Sequence, residues 1–178
     1  MADLATAYAA RRGLTDQEVA RLDGIVFLSK SQKVGDRAAY VADVRLLLQR
    51  ARADGLQVAV KHHPGERQPD PFGFRDDRNT VVLPRGLATE FLFVHPACRF
   101  RFVISGLSTT LLTARWLRPQ TTAISVTSLV GRHDQQILDM LGKMGVHMVA
   151  SVADALPLLH ASPNAHGSES LAAARSQI

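Results

Sequence analysis

Cysteine is nearly absent: Cys98 is the only one in 178 residues. No intrachain disulfide and no cysteine metal site can form, which suits a reducing compartment. Aromatic residues make up 6%, and none alternates with basic residues as a base-stacking platform would require. No apolar run approaches the roughly 20 residues that cross a bilayer, so no transmembrane segment is expected. The opening stretch, MADLATAYAARRGLTDQE, lacks the continuous apolar core of a signal peptide. A cytoplasmic protein is expected, with the inner face of the membrane as a second location. Neither GxGxxG nor GxxxxGK[ST] occurs, which argues against an ordinary dinucleotide or ATP site. His133, His147, His160 and His166 are scattered without metal-ligand spacing, and no metal or other cofactor is expected.

What is present is an ordinary globular composition, 46% hydrophobic and 21% charged, in a chain long enough for one domain with a proper core. The net charge of +5 comes mostly from arginines spread along the chain. That balance favours anionic ligands without indicating nucleic acid as a partner.

Residues 1–22 read as a polar, partly helical lead-in, with Thr15 and Glu18 spaced as a capping box for a helix through Ala20. Apolar runs at Gly24–Leu28, Val58–Val60, Thr80–Leu83, Phe100–Ile104, Thr121–Val126 and Val146–Ala150 predict six strands. Helices are expected from the Asp36 N-cap to about Ala53, over Leu87–Val94, over Ser108–Leu117, from about His133 to Met144, and over Val152–His160. In the first of these, Val41, Val44, Leu48 and Ala51 share one face, and Gly55 lies just past the end. His95-Pro96 reads as a helix stop. Strands alternating with helices predict an α/β fold, a doubly wound parallel sheet of Rossmann type.

In such a sheet ligands bind at the carboxyl ends of the strands. Three polar stations fall there. VAVKHHPGE, residues 58–66, ends a strand in Lys61, His62, His63 and Pro64, and the proline restrains His63. Glu90 lies on the short helix after the third strand, and a carboxylate can accept both hydroxyls of a ribose. Ser108 and Thr109 open a helix after the fourth strand, where free backbone N–H groups suit phosphate, and Gly106 permits close backbone approach. Together they describe a nucleotide site. Each also has a plainer reading: a solvated strand end, a surface charge and a helix N-cap. Gly106-Leu107-Ser108 is close to a nucleophile elbow, but Thr110 stands where the second glycine belongs.

Lys61, His62, His63 and Pro64 as KxHP, then an acidic residue after the next strand, then a strand leading into Ser-Thr, resemble bacterial sialyltransferases and polysialyltransferases. The resemblance covers about Gly24 to His160. It implies the C-terminal, donor-binding half of a glycosyltransferase B fold, with CMP-sialic acid as donor and a glycan as acceptor. On that reading His63 is the catalytic residue, contacting the departing CMP phosphate and able to protonate it. Lys61, Ser108 and Thr109 bind the same phosphate and Glu90 the ribose. The family's general base belongs to a paired-acid-glycine motif in the N-terminal domain. Leu22-Asp23-Gly24 and Ala53-Asp54-Gly55 hold one acid each, so the acceptor domain, or a second copy of the chain, is expected to be a separate partner. The domain expectation is a lead-in at 1–22, a nucleotide-sugar-binding domain at 23–161 and a flexible tail at 162–178. Two other readings stand beside the glycosyltransferase: a nucleotide-binding module or truncated relative without turnover, and a serine hydrolase using Ser108.

Overall fold

Short runs of β-branched and apolar residues, cut by Gly and Pro, form the strands β1 (Gly24–Phe27), β2 (Val58–Lys61), β3 (Val81–Val82), β4 (Phe102–Ser105), β5 (Thr122–Val126) and β6 (His147–Val149) in a computed structural model. That structure describes residues 1–129 and 135–160. The strands make one parallel sheet in the order β3-β2-β1-β4-β5-β6. The order reverses between β1 and β4, whose register pairs Gly24 with Phe102 and Phe27 with Ser105. All six strands fall where the apolar runs put them. β4 begins at Phe102 rather than Phe100.

Successive strand residues point to opposite faces, and in β1 both faces are apolar. Ile25 and Phe27 join one core cluster, Val26 and Leu28 the other. A sheet buried on both sides needs helices on both sides. The helices are α1 (Ala2–Arg11), α2 (Asp16–Arg21), α3 (Arg37–Ala53), α4 (Thr89–Phe93), α5 (Thr109–Leu117), α6 (Gln135–Lys143) and α7 (Val152–Ala155). Tyr40, Val44, Leu47 and Leu48 of α3 and Val152 of α7 cover one face. Val19 of α2, Leu92 of α4, Leu111 of α5 and Leu141 of α6 cover the other. The connections that run one way along the sheet use one face and those that run the other way use the opposite face, as a constant crossover hand requires.

Local chemistry sets the helix ends. Thr15 and Glu18 close the capping box of α2, and the Asp36 carboxylate accepts from Ala39 N at 2.9 Å to start α3. Ser108 caps α5. The expected face of α3 holds, with Val44, Leu48 and Ala51 buried and Val41 packed against the same cluster, and Tyr40 and Leu47 join it. Two expectations are corrected. The helix expected over Val152–His160 is α7 followed by a 3-10 turn, Leu156–Leu159, because Pro157 has no N–H to continue the α-helix ladder. The 1–22 segment is helical and also contributes Ala9, Leu14, Val19 and Leu22 to the core. The expected helix start at His133, the histidines His133 and His166, and the tail from 162 onward lie outside the described residues. Among the described residues no helix is long and apolar enough to cross a membrane, and no His, Cys, Asp and Glu group could hold a metal ion.

Candidate functional site

The reversal between β1 and β4 leaves their carboxyl ends uncovered, and there a cleft of about 650 Å³ opens. Phe27, Leu28 and Ser29 line it from β1, Lys61 and His63 from β2, and Ser105 from β4. Its far walls are the 85–88 segment with the start of α4, and Leu107–Thr110 at the start of α5. Lys61, His63, Glu90, Ser108 and Thr109, the five residues singled out in the sequence, all line this one cleft.

Their settings differ. The Lys61 side chain is 1% exposed, and its Nζ donates to the carbonyls of Arg85 at 2.8 Å and His62 at 3.3 Å. Burial, with Arg85 beside it and Glu90 partly offsetting, lowers its pKa to about 8. Lys61 is thus a cation set into the floor, not the solvated strand end of the plainer reading. His62 points away from the cleft, fully buried and stacked on Phe72, with Nε2 3.2 Å from Asp70 Oδ1 in a geometry too bent for a hydrogen bond. Burial holds its imidazole below the usual pKa, so the contact joins a neutral ring to a carboxylate.

His63 faces the cleft. Its Nδ1 accepts from Gly65 N at 2.9 Å, so the neutral ring carries its proton on Nε2. Burial, then Lys30 and Lys33, hold its pKa below the ordinary histidine value. Gly65 matters here because a Cβ on it would meet Lys30 Cε at 2.7 Å and Nζ at 2.8 Å. The Lys30 chain lies across that turn, next to the imidazole. Beneath it Glu66, 1% exposed, accepts from Ser31 N and Arg67 N at 2.8 Å and from Gln68 N at 3.1 Å. Burial raises the Glu66 pKa, but these backbone donors outweigh it and hold the carboxyl at about 2.

Glu90 is exposed at the start of α4. Ser108 Oγ accepts from Thr110 N at 3.2 Å, which leaves its hydroxyl proton free to donate into the cleft, and Thr109 is exposed beside it. The N-cap reading of Ser108 is therefore correct and compatible with binding. No histidine is hydrogen-bonded to Ser108 Oγ among the described residues, and Ser108 is extended (φ −148°), not held in the strained turn of a nucleophile elbow. That argues against the hydrolase. The two single acids lie at the other end of the sheet. Asp23 precedes β1 and accepts from Gln57 N at 2.8 Å, and Asp54 caps α3 with Oδ2 2.9 Å from His160 Nε2.

Arg85, half-buried in the cleft wall between Pro84 and Gly86, was not singled out in the sequence. Its position just past a strand's carboxyl end, the rule that found Lys61, was the available signal. Tyr8 had no such signal. Its hydroxyl donates to Gly86 O at 2.7 Å and accepts from Ala88 N at 3.1 Å, while its ring stacks on Phe91 at 4.2 Å. The Arg12 guanidinium fills the space a side chain at Gly86 would need.

A model of the alpha-2,8-polysialyltransferase family (POLYST) matches residues 27–127, more than half of the chain. The chain belongs to this family. It is by that membership a sialyltransferase-like glycosyltransferase. No curated protein matches it. The polysialyltransferase match begins at Phe27 on the cleft and takes in every residue that lines the cleft, while α1, α2, α6 and α7 fall outside it.

Proposed function

We propose that this chain is the donor-binding domain of a sialyltransferase and that its cleft takes CMP-sialic acid. The observation that carries the reading is the convergence of Lys61, His63, Glu90, Ser108 and Thr109 on one cleft at the sheet's switch point. When the donor reacts, the bond between the anomeric carbon and the phosphate oxygen breaks, and its electron pair goes to that oxygen. Donors already aimed at the phosphate stabilise this charge without reorganising. The Nε2–H of His63, the Ser108 hydroxyl and the N–H groups at the start of α5 are such donors; the neutral His63 ring acts by hydrogen bonding, since giving up its one N–H would leave an imidazolate. Lys61 adds positive potential from the floor, and Glu90 accepts the ribose hydroxyls. The glycan acceptor's hydroxyl attacks the anomeric carbon from the opposite side, with inversion, and loses its proton to a base.

Glu90 is the one carboxylate lining the cleft among the described residues, and this reading uses it for ribose. The base therefore belongs to a partner domain or a second copy. The same observation favours a second reading, a nucleotide-binding module without turnover. Calorimetry with CMP, UDP and GDP tests the shared part: CMP is expected to bind selectively, and His63→Ala and Ser108→Ala to weaken it. Equal affinity for all three nucleotides would overturn the CMP-sialic acid reading and leave only the nucleotide-binding module, and absence of binding would overturn both. Transfer of sialic acid from the donor to an oligosialic acceptor separates them, and covalent labelling of Ser108 by a fluorophosphonate would restore the hydrolase.

A further inference from the structure

A sialic acid donor carries two anions, the phosphodiester and a carboxylate on the same anomeric carbon. The donors assigned above serve only the first. Lys61 cannot supply the second contact directly, because two of its protons are on carbonyls and the side chain is 1% exposed. Arg85 is differently situated. Its backbone is held on both sides: Pro84 O accepts from Leu87 N at 3.1 Å, its own carbonyl takes the Lys61 proton at 2.8 Å, and the next carbonyl, Gly86 O, takes the Tyr8 proton at 2.7 Å. Arg85 lines the cleft, and its charge lies close enough to Lys61 in the floor to disfavour the ammonium there; its guanidinium has one long hydrogen bond, from NH1 to Arg67 O at 3.4 Å, and no carboxylate partner among the described residues. A rigidly mounted arginine with unused planar donors matches a carboxylate in the two-pronged geometry that lysine cannot offer.

We infer that Arg85 is the specificity-determining residue of the cleft and reads the carboxylate of the acidic sugar on the donor. It selects a nucleotide-activated 2-keto sugar acid over a neutral sugar on the same nucleotide. The inference rests on the donor reading above and deepens it. With Lys61 in the floor, Arg85 is the second cation lining the cleft, so the cleft's positive groups outnumber its one carboxylate, and a ligand with two separate negative charges answers that excess.

The test compares CMP-sialic acid with the same donor carrying a carboxamide in place of its carboxylate, by calorimetry on the full chain. The unaltered protein is expected to prefer the carboxylate form at least tenfold. Arg85→Gln is expected to bring the two ligands within about twofold, and Arg85→Lys to keep an intermediate preference. The ratio is read within each variant, so a general loss of affinity does not obscure it, and an unchanged melting temperature excludes misfolding. An unaltered preference in Arg85→Gln overturns the inference, as does the absence of any preference in the starting protein. So does an equal loss of both ligands in both variants, which would assign Arg85 to the phosphate. If the chain binds CMP selectively and one of these results appears, only the role of Arg85 falls. If it binds no CMP, the donor reading itself has failed and takes the role of Arg85 with it.

Discussion

The chain contains two His-Pro corners, and locally they are built alike. At His63-Pro64 the ring Nδ1 accepts from Gly65 N at 2.9 Å, and at His95-Pro96 it accepts from Ala97 N at 3.1 Å. In each case the proline favours an extended histidine and the turn fixes the imidazole with Nε2 pointing outward. What Nε2 meets is different. His63 follows the carboxyl end of a central strand and lines the cleft, whereas His95 follows α4, is 1% exposed and has Asp16 Oδ1 3.5 Å from its Nε2. The dipeptide orients a ring; the element before it decides whether that ring faces the cleft or the core. His95 is thus a buried packing residue as well as the helix stop read from sequence.

The sharpest way to break this comparison is to truncate both rings. His63→Ala is expected to weaken CMP by about 10- to 100-fold, the worth of a hydrogen bond to a charged group, with little change in melting temperature. His95→Ala is expected to do the reverse, costing about 2 kcal/mol through the cavity it leaves, or a fall of roughly 4–8 °C, with CMP affinity kept. Calorimetry and thermal melts on both variants decide it, and similar behaviour of the two would remove the distinction.

Glu66 supports only the first corner. Glu66→Gln replaces one of the oxygens that accept from Ser31, Arg67 and Gln68, and is expected to cost about 1–3 kcal/mol in chemical denaturation. The sign with pH follows from its lowered pKa. The carboxylate's contribution is complete above the ordinary value of 4.5 and is lost as pH falls through about 2. Stability of the unaltered protein should therefore drop more steeply across that window than that of Glu66→Gln.

A weaker effect concerns the floor. Lys61 loses its charge as pH rises through about 8, so CMP affinity should fall by about threefold to tenfold across that pH, and Lys61→Met should remove the step. Burial disfavours the charged form, so the same rise in pH relieves a cost in the fold, and stability should gain while binding declines. The smallest change is expected from Tyr8→Phe. It keeps the stack on Phe91 but releases Gly86 O and Ala88 N, and should weaken CMP about two- to fivefold with a stability loss of about 1 kcal/mol.

The sheet was legible because each strand is an apolar run between turn residues, and α3 because Asp36 and Gly55 bracket a periodic stretch. The cleft was legible because polar residues follow apolar runs, as at Lys61 and Ser108. Other parts gave no local signal. The 66–80 segment reads as a charged loop without periodicity, yet Phe72 and Phe74 enter the core and Phe72 packs on Tyr40 at 5.0 Å. Its order comes from tertiary contacts. Arg85 follows the strand read at Thr80–Leu83, but it stands alone between Pro84 and Gly86, and one arginine among many spread along the chain carries no motif of its own. Tyr8 lies on a helix that approaches the cleft only across the fold, a relation no spacing rule encodes.

Among the described residues, no lysine or arginine forms an ion pair with Glu66, whose negative charge is balanced by amide dipoles instead. Lys30 and Lys33, which pass close enough to act on His63, are therefore not neutralised by the acid at the centre of their own turn. The anchor secures the shape of the corner, and its carboxylate only partly offsets the two lysines, whose effect at His63 is the larger.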